Sequence, residues 1–170
     1  MKKLIIIQIA GIFGFFKSCY FHVRYESYRS KYSLAKDFKF NGENIIFYGE
    51  GRITIGENSY IGWNSTIQAG NGTEVKIGNN CSISHNVRIY TQSNVTNQNF
   101  DVSLKKLKKS GNIEIGNGVW IGVNVFINPG ITIGDNVVVG ANSVVTKDVE
   151  SNTIVGGVPA KFINQINLDA

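Results

Sequence analysis

The chain has 170 residues, with 17 Lys/Arg against 12 Asp/Glu, a formal charge of +5, 19 Gly and 2 Cys. That length suits one domain, two cysteines give no disulfide framework, and the charge is too localised for a nucleic-acid interface. Residues 1–40 hold eight basic residues against Glu26 and Asp37, and residues 95–112 hold four lysines against Asp101.

The first element runs over residues 1–37. It opens with Lys2-Lys3 and continues with an apolar run from Leu4 to Phe16 broken by Gln8. That run is shorter than the roughly 17–25 residues of a spanning helix. Aromatic and basic residues follow through Tyr20, Phe21, Arg24, Tyr25, Tyr28 and Arg29. The mixture predicts a helix that either lies in the membrane interface through residues 2–29 or packs on the rest of the protein. Phe16-Lys17-Ser18-Cys19 makes a poor signal-peptide cleavage site.

From residue 38 the pattern changes. Residues 38–54 read as an irregular first coil with Phe40, Ile45, Phe47 and Ile53 pointing inward. Then a six-residue unit repeats, starting at Ile55, Ile61 and Ile67; Ile77, Ile83 and Ile89; Ile115, Ile121 and Ile127; and Ile133, Val139 and Val145. Fifth positions are mostly small or β-branched, among them Ser59, Ser65, Cys81, Val87, Ser93, Val119, Val137, Ser143 and Val149. Three units make one turn of a left-handed parallel β-helix, an all-β solenoid. First and fifth positions face a narrow interior, while Gly, Asn and Asp between them serve tight corners at positive φ. The solenoid is expected over 38–160, followed by a tail over 161–170 that contains a short helix.

Two interruptions break the phase. Ile67 to Ile77 is ten residues, which places a bulge at Gly70-Asn71-Gly72. Ile89 to Ile115 is 26 residues, so an excursion of roughly 92–111, including Lys105-Lys106-Leu107-Lys108-Lys109, leaves the coil. Long loops in compact domains tend to be functional. This one emerges beside His85, the only solenoid histidine.

The segments Ile115-Gly-Asn-Gly-Val-Trp120-Ile-Gly, Asn128-Pro129-Gly130, Gly140-Ala141-Asn-Ser143-Val-Val-Thr146-Lys147-Asp148 and Gly157-Val-Pro-Ala-Lys161 resemble the hexapeptide-repeat acetyltransferases. The branch they are most similar to is the sugar O-acetyltransferases of the galactoside, maltose and surface-polysaccharide type. The resemblance implies acetyl-CoA as donor, a homotrimer and active sites between subunits; the expected location is the cytoplasm or the inner face of a bacterial plasma membrane. It also implies that the pantetheine arm follows the positions of Val123 and Ala141. Thr146, Lys147 and Lys161 match positions that meet the cofactor, the two lysines at its phosphates.

The third residue of the second unit in successive coils forms a column: Trp63, His85, Val123, Ala141. A base at His85 would then sit at the thioester end, and Trp63 where a sugar can stack. Ile83-Ser84-His85-Asn86-Val87 resembles the segment carrying the catalytic His in acyltransferases of lipid A precursors and amino-sugar nucleotides. Galactoside-type enzymes instead carry their His at the place of Asn94. The expected chemistry is general-base catalysis by His85, with the Val123 backbone N–H receiving the oxyanion. Asn94 is a substrate candidate, and Asn94, Asn124 or a neighbouring subunit's carboxylate is the candidate to orient His85. Three alternatives stay open at this point: O-acetylation of a bacterial surface polysaccharide or its precursor, N-acetylation of a nucleotide-linked amino sugar, and a non-catalytic binding solenoid. Zinc chemistry on this fold would need three histidines, and only His22 and His85 exist.

Overall fold

The computed structural model describes residues 2–101 and 107–167. The chain divides into two compact units, Met1–Tyr32 and Ser33–Ala170. The first is a single helix, α1, Lys2–Lys31.

The second unit is the expected solenoid, with three parallel walls. Wall 1 holds Ser33–Leu34, Arg52–Ile55, Glu74–Ile77, Ile113–Ile115 and Thr132–Ile133. Wall 2 holds Lys39–Asn41, Tyr60–Gly62, Ser82–Ile83, Trp120–Ile121, Val138–Val139 and Thr153–Gly156. Wall 3 holds Ile46–Tyr48, Thr66–Gln68, Arg88–Tyr90, Phe126–Ile127 and Val144–Val145. Equivalent positions stack in register, as in Ile61↔Ile83 and Ile121↔Val139.

All twelve unit-starting aliphatics are buried, with no more than 3% of their surface exposed. Aliphatic side chains fill most of the interior, and the fifth-position Ser59 and Ser65 are satisfied by the next coil. Ser59 Oγ donates to the Gly78 carbonyl at 2.9 Å and accepts from Cys81 N–H at 2.9 Å. Ser65 does the same with Ser84 and Val87. No buried polar side-chain atom among the described residues lacks a partner. Burial pushes the Cys81 thiol up, which leaves it a small neutral core residue.

Corners follow the expected chemistry. Between walls 2 and 3 the same left-handed backbone recurs at Asn44, Asn64, Asn86, Asn124 and Asn142, with φ between 55° and 60°. Asparagine tolerates this region and its amide can bond along the stack. Asn86 Nδ2 donates to Asn124 Oδ1 at 2.6 Å, and Asn124 Nδ2 to Asn142 Oδ1 at 3.0 Å.

Four expectations change. The coils start before residue 38, because Ser33 and Leu34 already pair with Thr54 and Ile55. At that open end Phe38, 1% exposed, fills the interior, while Phe40 is only half-buried. Ser93 and Val149 are also half-buried, since one has left the coil and the other closes its last turn. The expected C-terminal helix is instead a strand, Lys161–Gln165, antiparallel to Thr153–Gly156. Without it the final strand of wall 2 would present an unpaired edge, so the returning chain caps the solenoid.

The excursion is a hairpin at its base: Gln92–Asn94 pairs antiparallel with Lys108–Ser110. Lys105 and Lys106 lie outside the described residues.

Candidate active site

The corner between walls 2 and 3 holds the predicted column. Backbone bonds tie it together: Asn86 N–H to the Trp63 carbonyl at 2.8 Å, Asn124 N–H to that of His85 at 3.1 Å, and Asn142 N–H to that of Val123 at 2.8 Å. Trp63, His85, Val123 and Ala141 are all exposed. A Cβ on Gly42 would stand 1.9 Å from the Trp63 indole, so the ring lies directly on that glycine. With 44% of Trp63 exposed, the indole leaves surface for a sugar ring to stack on.

His85 has a partner that residue types gave no hint of. The backbone N–H of Trp63 donates to His85 Nδ1 at 3.0 Å. A neutral imidazole that accepts at Nδ1 carries its proton on Nε2. The ring therefore presents Nε2–H outward. Asn124, an expected orienting group, is engaged on both sides of the asparagine ladder, and the described partner of His85 is the Trp63 amide. Gly62 makes room for this arrangement, because a Cβ there would meet His85 Nδ1 at 2.5 Å.

The same bond shows which way the corner amide points: from one coil toward the next. Repetition of the corner aims Val123 N–H at the coil of Ala141, away from His85. An oxyanion role for Val123 would need its N–H turned the other way from that of Trp63; the residue itself keeps its place in the column.

Thr146, Lys147 and Lys161 come together. With Asp148, Glu150, Phe162 and others they line a cavity of about 520 Å³ at the last coil. Two ammonium groups there suit phosphates. Asp148 is turned away from that task, since its Oδ1 accepts from Thr132 N–H at 2.8 Å. Val123 and Ala141 do not line this cavity. Ala141 and Thr146 lie at opposite ends of the wall 3 strand Val144–Val145.

Asn94 sits apart from His85. It lines a second cavity, about 260 Å³, with Tyr48, Gln68, Tyr90, Gln92, Ser93 and Lys108. Thr91 anchors the root of that region: buried, its Oγ1 accepts from Gly70 N–H at 2.9 Å and Thr73 Oγ1 at 2.7 Å.

Comparison with known proteins adds to this geometry. The model of bacterial transferase hexapeptide (six repeats) matches residues 112–147, and that of the hexapeptide repeat of succinyl-transferase matches 52–91. The chain is 38% identical to galactoside O-acetyltransferase of Escherichia coli (strain K12) over 79% of its own length and 68% of that protein's. Among solved structures it is similar to a hexapeptide-repeat-containing acetyltransferase of Vibrio cholerae O1 biovar eltor complexed with acetyl coenzyme A. That match has 30% identity and a TM-score of 0.75, and covers 86% of this chain and 78% of that one. It is also similar to a polysialic acid O-acetyltransferase, with 26% identity, a TM-score of 0.57, and 75% and 67% coverage.

Proposed function

The chain belongs to the hexapeptide-repeat acetyltransferases, and from that premise we propose that it moves the acetyl group of acetyl-CoA to a sugar hydroxyl of a bacterial surface polysaccharide or its precursor. The observation that carries this reading is the exposed corner column, with an imidazole held by a backbone bond and an indole beside it. The polysialic acid enzyme on the same fold supports a polymeric acceptor.

In the reaction the sugar oxygen attacks the thioester carbonyl carbon. A C–O bond forms, the C–S bond breaks, and the hydroxyl proton ends on the departing thiol. Lys147 and Lys161 hold the phosphates of CoA, Val123 and Ala141 border the pantetheine, and Trp63 receives the acceptor ring. His85 stands at the reacting end. General-base catalysis would need the other tautomer, with Nε2 free to take the hydroxyl proton and pass it to sulfur. The Trp63 bond favours a second role, because it keeps Nε2 protonated and makes it a donor to the acyl oxygen.

Ala141 and Thr146 lie on different corners of one coil, so a single chain does not bring the phosphate cavity to the column. A closed three-fold assembly lets a corner of one subunit face a different corner of the next, which supports a homotrimer. Acetyl-CoA turnover measured across sugars, nucleotide-linked amino sugars and isolated glycans, with product NMR, tests the function. An O-acetylated sugar from a trimeric preparation is expected. Exclusive N-acetylation selects the amino-sugar alternative, and CoA binding without turnover selects a binding solenoid.

Lys147→Glu and Lys161→Glu are each expected to raise KM for acetyl-CoA more than they lower kcat. Contacts remote from the thioester bind ground and transition states alike. Calorimetry that finds wild-type CoA affinity in both variants removes the lysines from the site.

A further inference from the structure

Helix α1 is exposed over residues 6–16, while Phe21 further along is buried, with 8% of its surface exposed. Ile6, Ile7, Ile9, Ile12, Phe13, Phe15 and Phe16 are each 48–72% exposed. At 100° per residue these positions fall on every side of the helix, and only Gln8 among residues 6–16 is polar. A helix lying in the interface needs a polar face turned to water. This one has none over that stretch, so the interfacial expectation does not suit it. A helix packing one stripe on a partner helix would still leave the remaining sides in water. An environment that is apolar all round satisfies every side at once.

The length fits as well. The apolar character continues past Lys17 through Cys19, Tyr20, Phe21 and Val23, so Leu4 to Val23 has twenty residues and one charge. At about 1.5 Å per residue that is roughly 30 Å, the thickness of a hydrocarbon core. Lys17 lies within two turns of the end and can reach the headgroups along its alkyl stem. At the C-terminal end polar tips gather: Arg24 Nε donates to Tyr28 Oη at 2.7 Å, and Arg24 Nη1 to Tyr20 Oη at 3.0 Å. Tyrosines with a basic residue are the composition of a membrane–water boundary.

We propose that α1 crosses a lipid bilayer as a single span, Leu4 to Val23, with the chain beyond Val23 on the cytoplasmic side of the membrane. Five basic residues follow the span closely, Arg24, Arg29, Lys31, Lys36 and Lys39, against Lys2 and Lys3 before it. Flanking Lys and Arg bias sets orientation, with the richer side retained in the cytoplasm and attracted to its anionic leaflet. The same side supplies acetyl-CoA, an agreement that rests on the proposed donor, whereas the charge bias stands without it. The span confines the enzyme to the membrane plane, where glycans tethered to a lipid are the acceptors within reach.

The test uses the full chain in bacterial cells. It is expected in the membrane pellet, retained after alkaline carbonate and released only by detergent. Release by salt or carbonate overturns the span. On a Cys19→Ser background, Lys3→Cys should react with an impermeant maleimide in intact cells, and Ser30→Cys only after lysis. Protection of both in intact cells, or the reverse pattern, refutes the topology. The double variant Ile9→Lys, Phe13→Lys should move the protein to the soluble fraction with turnover on a water-soluble sugar kept within a few-fold. If the variant stays in the membrane, or loses its trimer instead, lipid is not what covers α1. A mature chain that lacks the first residues by mass spectrometry would mark the segment as a cleaved leader. Neither fractionation nor labelling reads catalysis, so an inactive enzyme leaves this test intact.

Discussion

His85→Ala lowers kcat by about 10²–10⁴-fold, the range that a positioned proton acceptor or a fixed oxyanion donor contributes. CoA affinity stays near wild type, because the imidazole stands on the corner column, away from the last-coil cavity proposed for the phosphates. The variant folds: His85 is exposed, its neighbours Ile83 and Val87 keep their buried places, and the freed Trp63 N–H reaches water. A second substitution separates the two roles. His85→Gln still offers an N–H but no base. If His85 gives a proton-bearing Nε2 to the acyl oxygen, Gln recovers much of the loss. If His85 removes the hydroxyl proton, Gln is as poor as Ala, and residual activity climbs with pH as solvent takes over. Full activity in His85→Ala together with a large loss in Asn94→Ala would move the centre to the cavity beneath the hairpin. The fold and donor would survive that result.

Ile121→Ala destabilises the solenoid by about 2–5 kcal/mol, the usual range for truncating a buried Ile. Ile121 is 0% exposed and sits in register between Ile83 and Val139, in the middle of wall 2. Each coil touches only its neighbours, so no other part of the protein can close the gap. Against a typical total of about 5–15 kcal/mol, that is a large share. Denaturant titrations at one fixed protein concentration measure it, since any assembly stabilises by mass action. The outward-facing Glu114→Ala serves as reference and should stay within about 0.5 kcal/mol. A cost for Ile121→Ala below about 1 kcal/mol would mean that the interior repacks freely, against the tight stacking seen here.

The solenoid was legible because its rule is local and repeats. An aliphatic every six residues, with a small residue four later, defines three walls and an interior, and Asn58, Asn86 or Asn136 mark corners because few other residues tolerate φ near +55°. The column followed from the same arithmetic: Trp63, His85, Val123 and Ala141 share a corner because their unit positions match. The grouping of Thr146, Lys147 and Lys161 was legible only through motifs that resemble a family, since nothing in their spacing brings residue 161 back to the corner at 147. Where the repeat stops, the reading weakened. The tail was expected to be helical, but the open edge of Thr153–Gly156 draws it into a strand, and that edge exists only once the coils have stacked.

The coil, its inward residues, its corners and the family to which its motifs are similar could be read from residue types alone, because each of these depends on neighbours a fixed number of positions away. The tertiary structure alone decided how His85 is held and which nitrogen bears its proton, because the partner is a backbone amide 22 positions earlier that every residue but proline possesses. It also decided that residues 6–16 of α1 are exposed, since exposure belongs to what surrounds a helix rather than to the residues that compose it.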